Sequence, residues 1–456
     1  MLKRKAEQRI QDFLLHDKRC LLVTGARQVG KTFLVRQVGK ACFKRFVEIN
    51  FVETPEAVEI FRDNKGTKDF LLRLSAFSHQ QLKPGETLIF FDEVQKCKEI
   101  VTAIKFLVDE GSYKYVMSGS LLGVELDDLR SVPVGYMDEL EMFPLDMTEF
   151  FQAIGIGEDV LRHLAECFRE KRPVDVFIHG RMLEAVRLYL LVGGMPAAVQ
   201  RYLDTNNLRR VLEEQLGIIR TYKRDITQYD AGRKLLIEEI YDLIPPELNA
   251  KNKRFILKSL NEKARYSRYE DGFLWLKDAG VAIPAYNVEE PKVPLLLSRQ
   301  RNLFKLFLND VGLLAAMYGG NIQTRMLSDN PNINFGAVYE NLVAQELVAH
   351  GFSTGHALYY FNSKKQGELD FLVEHDGQVL PIEVKSGKNY ERHNALTQVM
   401  DNKEYDIPCA YVFCQDNVQT KGRITYFPIY LVAFLKQPQP EDRIFTFNLT
   451  GLNSPR

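Results

Sequence analysis

Eight residues near the N-terminus combine two glycines with a lysine and a hydroxyl side chain in the spacing GxxxxGKT. They follow a short apolar run and precede a segment with helical spacing, so a strand, a loop and a helix are predicted in that order. Such a loop can wrap a phosphate with its backbone N–H groups, and the following helix adds its positive end. The residues of this predicted phosphate-binding loop are Gly25, Ala26, Arg27, Gln28, Val29, Gly30, Lys31 and Thr32.

A pair of acidic residues, Asp92 and Glu93, follows the apolar run at residues 87–91. Acids at the carboxyl end of a central strand lie where doubly wound sheets bind ligands. With the loop some 60 residues upstream, the pattern predicts that Mg²⁺–ATP is bound and hydrolysed. Lys31 is expected to contact the β- and γ-phosphates, and Thr32 and Asp92 are expected to hold Mg²⁺. Glu93 is expected to orient the attacking water and to accept its proton.

A third apolar run, at residues 115–117, ends at Ser118 in the sequence SGS. A polar side chain after a neighbouring strand is well placed to sense the γ-phosphate. A serine that caps a turn is an equally good interpretation of the same letters. Ser118 is therefore included among the predicted nucleotide-binding residues.

A second candidate site lies in GELDFLVEHDGQVLPIEVKSG, at residues 367–387. Asp-Gly between two apolar runs predicts a two-residue hairpin turn, which places Val373 opposite Leu380 and leaves one face apolar. On the other face Asp370 then lies opposite Glu383, with Lys385 two residues further along. Facing carboxylates repel each other unless a divalent cation lies between them.

This arrangement resembles the core of the PD-(D/E)xK nucleases, which also place an acid on a preceding helix, here Glu340. The resemblance implies a metal site formed by Glu340, Asp370 and Glu383, with Lys385 as a catalytic residue. Three interpretations stay open: a metal-dependent nuclease, a nuclease-like fold that binds DNA or another partner without cutting, and an acidic hairpin with a lysine as its counter-charge.

The middle of the chain contains a basic stretch, residues 251–268, with seven lysines and arginines against one acid. Helical spacing continues to Ala279, and the extended segment VAIPAYNV follows. Helix, turn, helix and strand is the layout of a winged helix, in which basic flanks contact phosphates of DNA. A solvated basic face on packed helices is the competing interpretation.

Bulk composition limits the possible classes of protein. At 456 residues the chain is expected to form several domains, and 60 basic against 60 acidic residues leave no overall field that attracts nucleic acid. The N-terminal residues lack an apolar signal segment, and no apolar run is long enough to span a membrane. The six cysteines lack metal-ligand spacing, so we expect a cytoplasmic protein with free thiols.

The motifs GARQVGKT, LIFFDEVQ, YVMSGS, EMFPLDMTEFF and LYLLVGGMPAAV occur in this order. The chain thereby resembles a prokaryotic family of AAA+ P-loop ATPases that carry a C-terminal domain of unknown function. The resemblance implies an α/β fold whose parallel sheet is flanked by helices. The implied domains are an ATPase core at 1–150, a helical lid at 151–205, a winged-helix-like domain at 206–325 and a nuclease-like domain, similar to restriction endonucleases, at 326–456.

One departure from the family concerns an arginine. Relatives carry a Gly-Arg pair before the segment that resembles MFPLDMTEF, whereas this chain has Gly135 and Tyr136. If that arginine acts as an arginine finger, Arg130 is the nearest substitute. Asp225, in TYKRDITQ, lies in a segment typical of the family, and the sequence gives it no chemical role.

Together these patterns predict an ATP- and Mg²⁺-binding ATPase that acts on DNA, with a possible nuclease domain and a possible homo-oligomeric state. The alternative is a nucleotide-dependent signalling or interaction protein whose nuclease-like domain is inactive and binds a partner. Salt-dependent DNA binding separates the two, because phosphate contacts weaken steeply as salt rises.

Overall fold

The structure, a computed structural model, describes residues 2–62, 66–120, 135–229, 234–250, 253–255, 266–319, 336–353, 357–387 and 389–438. Arg130 and most of the basic stretch at 251–268 lie outside these residues. The predictions that concern them therefore rest on sequence alone.

The N-terminal third forms a five-stranded parallel sheet with the strand order β2-β3-β4-β1-β5. The predicted strands at residues 21–24, 87–91 and 115–117 are confirmed as parts of β1, β3 and β4. The central β3 is buried along its whole length, as expected of a parallel strand covered on both faces. The strands are β1 (Cys20–Thr24), β2 (Arg45–Asn50), β3 (Thr87–Asp92), β4 (Lys114–Ser118) and β5 (Met137–Glu141), and the helices are α1 (Lys5–His16), α2 (Lys31–Cys42), α3 (Thr67–Ser78) and α4 (Lys98–Glu110).

Helices follow this sheet in sequence. The first of them begins at Asp146, whose side chain accepts the N–H of Glu149 while the Glu149 carboxylate accepts the N–H of Asp146, a capping box. The helices are α5 (Met147–Ala153), α6 (Glu158–Glu170), α7 (Val176–Val192), α8 (Pro196–Thr205), α9 (Leu208–Tyr229), α10 (Lys234–Asn249) and α11 (Tyr266–Asp278).

A second, mixed sheet contains eight strands in the order β12-β13-β11-β10-β9-β8-β6-β7. Its strands are β6 (Ala282–Val288), β7 (Arg299–Leu308), β8 (Leu358–Ser363), β9 (Gly367–His375), β10 (Gln378–Val384), β11 (Ala410–Cys414), β12 (Gln419–Lys421) and β13 (Ile424–Pro428). The accompanying helices are α12 (Val311–Met317), α13 (Gly336–Ala349) and α14 (Asn394–Asp401).

The second sheet crosses the domain boundary predicted between residues 325 and 326. The segment expected to form a wing is β6, which pairs with β7 on one side and in parallel with β8 on the other. Two strands of the segment predicted to be winged-helix-like, β6 and β7, therefore lie in one sheet with the strands that follow residue 326.

The predicted hairpin is confirmed with its register. β9 and β10 are antiparallel, with Val373 opposite Leu380 and Phe371 opposite Ile382. The turn residues Asp376 and Gly377 both have positive φ, of 51° and 74°, as a type I′ turn requires.

The VGGMP segment between α7 and α8 contacts both the region of the first sheet and the region of the second sheet. The carboxylate of the buried Asp310 accepts the N–H of Gly194 at 2.6 Å and that of Leu313, in α12, at 2.9 Å. Gly194 also accepts the N–H of Leu145 at 2.7 Å, and a Cβ there would lie 2.0 Å from the oxygen of Leu145. The lid-like helices are thereby joined by hydrogen bonds to the segments that follow β5 and β7.

We also compared the helices with the requirements of a membrane span. Among the described residues no single helix combines the needed length and hydropathy, while the pair α7 and α8, bent by 118°, does so only when the two are taken together.

Candidate functional site

The loop between β1 and α2 has the backbone shape of an anion cradle. Gly25, Gln28 and Gly30 all have positive φ, of 124°, 66° and 96°. Left-handed residues alternating with ordinary ones turn successive N–H groups toward one concave side. A Cβ on Gly25 would lie 2.1 Å from the oxygen of Met142, so only glycine fits there.

Lys31, the first residue of α2, lies within this loop with 7% of its surface exposed. Its Nζ donates to the backbone oxygens of Gly25 and Ala26, both at 2.8 Å. Burial lowers the pKa of Lys31 to about 8, although the charges of Glu93 and Asp92 act to raise it. A bound phosphate would supply the counter-charge that the buried ammonium lacks.

The predicted Mg²⁺ ligands are brought together by the sheet. Thr32 donates its hydroxyl to Asp92 at 2.9 Å, and Asn50 donates to the same carboxylate at 3.1 Å. Ser118 donates to the other oxygen of Asp92. Burial raises the pKa of Asp92, so a cation beside it would stabilise its charged form. A hydroxyl and a carboxylate side by side are a donor set suited to Mg²⁺.

Glu93 follows β3 in a left-handed conformation, with φ of 56°. Its carboxylate accepts hydrogen bonds from Gln95 and, at 3.5 Å, from the hydroxyl of Ser120. Positive φ is unusual for glutamate and is typical of functional sites. Glu93 thus lies beside the Asp92 carboxylate and its hydrogen-bond partners, as its predicted role requires.

Sequence reasoning missed several contributors to this site. Asn50 and Ser120 lie at the ends of β2 and β4, next to strands that had been identified, so the sheet order would have indicated them. Asp225 is a partner of Arg27, and no local signal shows this, because the two residues are 198 positions apart.

An apolar cavity of about 260 Å³ adjoins the loop at Gly30. Its walls come from the N-terminal segment, from α2 and from α8. The lining residues are Leu2, Arg4, Gly30, Phe33, Leu34, Pro196, Ala197 and Gln200. The VGGMP segment therefore delivers Pro196 to a position beside the phosphate-binding loop.

The acids of the second predicted site lie together in the C-terminal region, and all three are buried. Glu340 on α13 is paired with Lys253 and lies 3.7 Å from Lys305. Glu383 is paired with Lys385 at 2.6 Å, and Asp370 accepts the N–H of Val384 at 2.9 Å.

Charges in this cluster are strongly coupled. Burial raises the pKa of Glu383 to about 8, and the charge of Asp370 adds to this effect. Burial would also raise the pKa of Asp370, but the charges of Lys253, Lys305 and Lys385 outweigh it and lower that pKa. The lysines thus act as counter-charges where a divalent cation had been expected.

These acids have other partners in the structure, and the divalent-cation site predicted for them stays a prediction. Within the described ranges no three Asp, Glu, His or Cys side chains form a group that could hold a metal ion. Glu340, Asp370 and Glu383 are neighbours as predicted, but lysines pair with two of them and a backbone N–H binds the third. Lys253, a member of the basic stretch at 251–268, is a partner of Glu340.

Comparison with known families divides the chain into three parts. A family described as "AAA domain" matches residues 17–151, so the N-terminal third resembles an AAA-type P-loop domain. Two families described as domains of unknown function, DUF8612 and DUF4143, match residues 183–324 and 335–432.

Similar sequences include uncharacterized proteins of Mycobacterium bovis and Mycobacterium tuberculosis. Each is 35% identical over 88 residues, which is 19% of this chain and 19% of the relative. The match therefore spans about a fifth of the length of these relatives.

Two solved structures share a distant likeness. The Walker-type ATPase PABY2304 of Pyrococcus abyssi is 16% identical with a TM-score of 0.43, over 70% of this chain and 96% of that one. The ORC1 protein of Aeropyrum pernix, in complex with DNA, is 13% identical with a TM-score of 0.29, over 73% and 93%. At these scores the assignment of the N-terminal third rests on the family match and on the loop geometry.

Proposed function

We propose that the protein binds Mg²⁺–ATP at the loop of residues 25–32 and hydrolyses it. One observation carries this proposal: the buried Lys31, the Thr32–Asp92 pair and Glu93 converge where the neighbouring strands β1, β3 and β4 end. The loop after β1 and the end of β3 bring these residues together in the arrangement that phosphoryl transfer to water needs.

Each side chain then has one task. The loop N–H groups and Lys31 bind the phosphates, and Thr32 and Asp92 would hold Mg²⁺, which neutralises charge on the phosphate oxygens when bound. Glu93 accepts a proton from the attacking water at its carboxylate. Ser118 keeps Asp92 oriented through its hydrogen bond.

The apolar cavity beside Gly30 is proposed as the site of the base. Phe33 is 59% exposed and faces a cavity whose opposite wall includes Pro196. Apolar walls favour an aromatic base over water, and the amide of Gln200 supplies both a donor and an acceptor for its polar edge.

Replacing Phe33 by Ala is expected to weaken ATP and ADP binding about tenfold, because a stacking surface for the base is lost. Inorganic triphosphate, which has no base, should bind equally well to the variant and the parent. Competition against a fluorescent nucleotide measures all three ligands. Phe177→Ala is the matched control, since Phe177 is exposed and lies outside the cavity lining. Equal weakening of ATP and triphosphate would contradict the base assignment.

For the C-terminal region we propose a binding module that does not cut DNA with a metal ion. The observation that favours this is the lysine partnership of Glu340 and Glu383. ATP turnover would then control a partner bound by this module. DNA is proposed as a candidate partner from the basic stretch at 251–268.

The ATPase rate with and without duplex, branched and single-stranded DNA tests this part of the proposal. Stimulation that fades as salt rises would support a DNA partner, because phosphate contacts release counterions. An unchanged rate with every form of DNA would favour a protein partner. Nicking of any DNA with Mn²⁺ present would contradict the inactive assignment.

A further inference from the structure

Arg27, in the phosphate-binding loop, is held by two groups outside that loop. Its Nη1 lies 2.5 Å from a carboxylate oxygen of Asp225, in α9, and its Nε donates to the hydroxyl of Ser120 at 3.2 Å. Asp225 is buried, and Arg27 retains about a third of its exposure. The pair therefore fixes the Arg27 side chain between the ATPase domain and the helical region that follows it.

Helix α9 contacts the loop at a second point. The hydroxyl of the buried Tyr222 donates to the backbone oxygen of Arg27 at 3.1 Å. Tyr222 and Asp225 are three residues apart, so they lie on the same face of the helix. One face of α9 thus binds both the backbone and the side chain of a single loop residue.

The Arg27 side chain lies at the hydrolytic end of the site. Ser120 bridges it to the carboxylate of Glu93, which is 3.5 Å from the Ser120 hydroxyl. The charge interactions agree with this placement of Arg27. Burial lowers the pKa of Lys31, and the positive charge of Arg27 lowers it further. Burial raises the pKa of Asp225, and Glu93 also raises it while Arg27 opposes it. Because Glu93 is the proposed base, the γ-phosphate belongs at this end.

We infer that Arg27 is shared between Asp225 and the γ-phosphate of ATP, so that ATP but not ADP draws it away from α9. This inference rests on the proposed function. Asp225 is a positioning residue: it holds the guanidinium beside Glu93 until a more highly charged acceptor arrives. Release of Arg27 loosens the contact of α9 with the loop, which passes the presence of a γ-phosphate to the region after the lid.

The competition has a measurable consequence. ATP must break the Arg27–Asp225 ion pair in order to bind Arg27, so the free energy of that ion pair lowers the affinity for ATP. The coupling between the two sites is reciprocal. A protein without the Asp225 charge should therefore bind ATP more tightly, and ADP unchanged. Couplings of this kind typically change affinity by about tenfold.

The experiment measures ATP and ADP affinities of the full chain for the parent, Asp225→Asn, Arg27→Ala and the double variant. We expect Asp225→Asn to tighten ATP about tenfold and to leave ADP unchanged, Arg27→Ala to weaken ATP, and Asp225→Asn to have no effect when Arg27 is absent. Asp225→Glu, which keeps the charge, should restore the affinity of the parent. Asp242→Asn is the matched control, since Asp242, in α10, forms an ion pair with Lys223 of α9 at 2.6 Å.

A second measurement follows α9 itself. Hydrogen–deuterium exchange in α9 should be faster with a slowly hydrolysed ATP analogue than with ADP, and the difference should vanish in Arg27→Ala. Equal effects of Asp225→Asn on ATP and ADP, or an effect that persists without Arg27, would overturn the inference while leaving ATP binding intact. A parent protein that binds neither nucleotide would overturn the proposed function and this inference with it.

Discussion

Glu93→Gln is expected to bind ATP like the parent protein and to hydrolyse it roughly a hundredfold more slowly or worse, because a positioned general base contributes that much to a rate. Glutamine keeps the size of the side chain but accepts no proton from water. Lys31, held by the backbone oxygen of Gly25, and the Thr32–Asp92 pair are left in place. Single-turnover hydrolysis and a separate binding titration measure the two quantities.

Two comparison variants make this test specific. Lys31→Ala should lose nucleotide binding itself, since it removes the buried charge that faces the phosphates. Glu99→Gln, on the exposed surface of α4, should behave like the parent in both measurements. A Glu93→Gln protein that turns over ATP at the rate of the parent would show that another group activates the water.

The parts of the site that sequence predicted are those encoded within one short segment. The residues of the loop, of β3 and of the hairpin turn each carry their own signal, because glycine positions and apolar runs are local properties. The register of the hairpin followed from Asp376 and Gly377 alone. The same locality explains why Asp92 and Glu93 were placed at the end of their strand before any contact was known.

The parts that sequence missed depend on contacts between distant segments. Arg27 contacts Asp225, which is 198 positions away in the sequence. The cavity beside Gly30, proposed as the site of the base, forms only because α8 lies beside α2. A lysine in a basic stretch gives no sign of whether it faces water or a buried acid. Lys253 belongs to the stretch for which DNA contacts or a solvated face were the alternatives, and tertiary packing places it against Glu340. Charge patterns alone do not distinguish a binding surface from a buried counter-charge.

Lys305 provides a test of what balances the buried acids of the C-terminal region. It lies on β7, is fully buried, and pairs with Glu368 at 2.7 Å while lying 3.7 Å from Glu340. Lys305→Met keeps most of the volume and removes the charge, which takes the ion-pair partner from Glu368 and leaves the buried Glu340 with Lys253 alone. We expect the free energy of unfolding to fall by about 3–5 kcal/mol, as when one partner of a buried ion pair is deleted. Urea unfolding without nucleotide measures the change.

Recovery of stability in a second variant shows whether lysines or a divalent cation balance these carboxylates. If lysines are the native counter-charges, Glu340→Gln added to Lys305→Met should restore much of the lost stability, because it removes a buried charge that has lost one of its two lysines. Mn²⁺ or Mg²⁺ should then leave the melting temperature of the nucleotide-free parent unchanged. Lys421→Met, which breaks an exposed pair with Glu391, is the control and should change stability little. Stabilisation of the parent by Mn²⁺ that disappears in Asp370→Asn would show the opposite: the acids bind a metal ion by mass action, and the lysines give way to it.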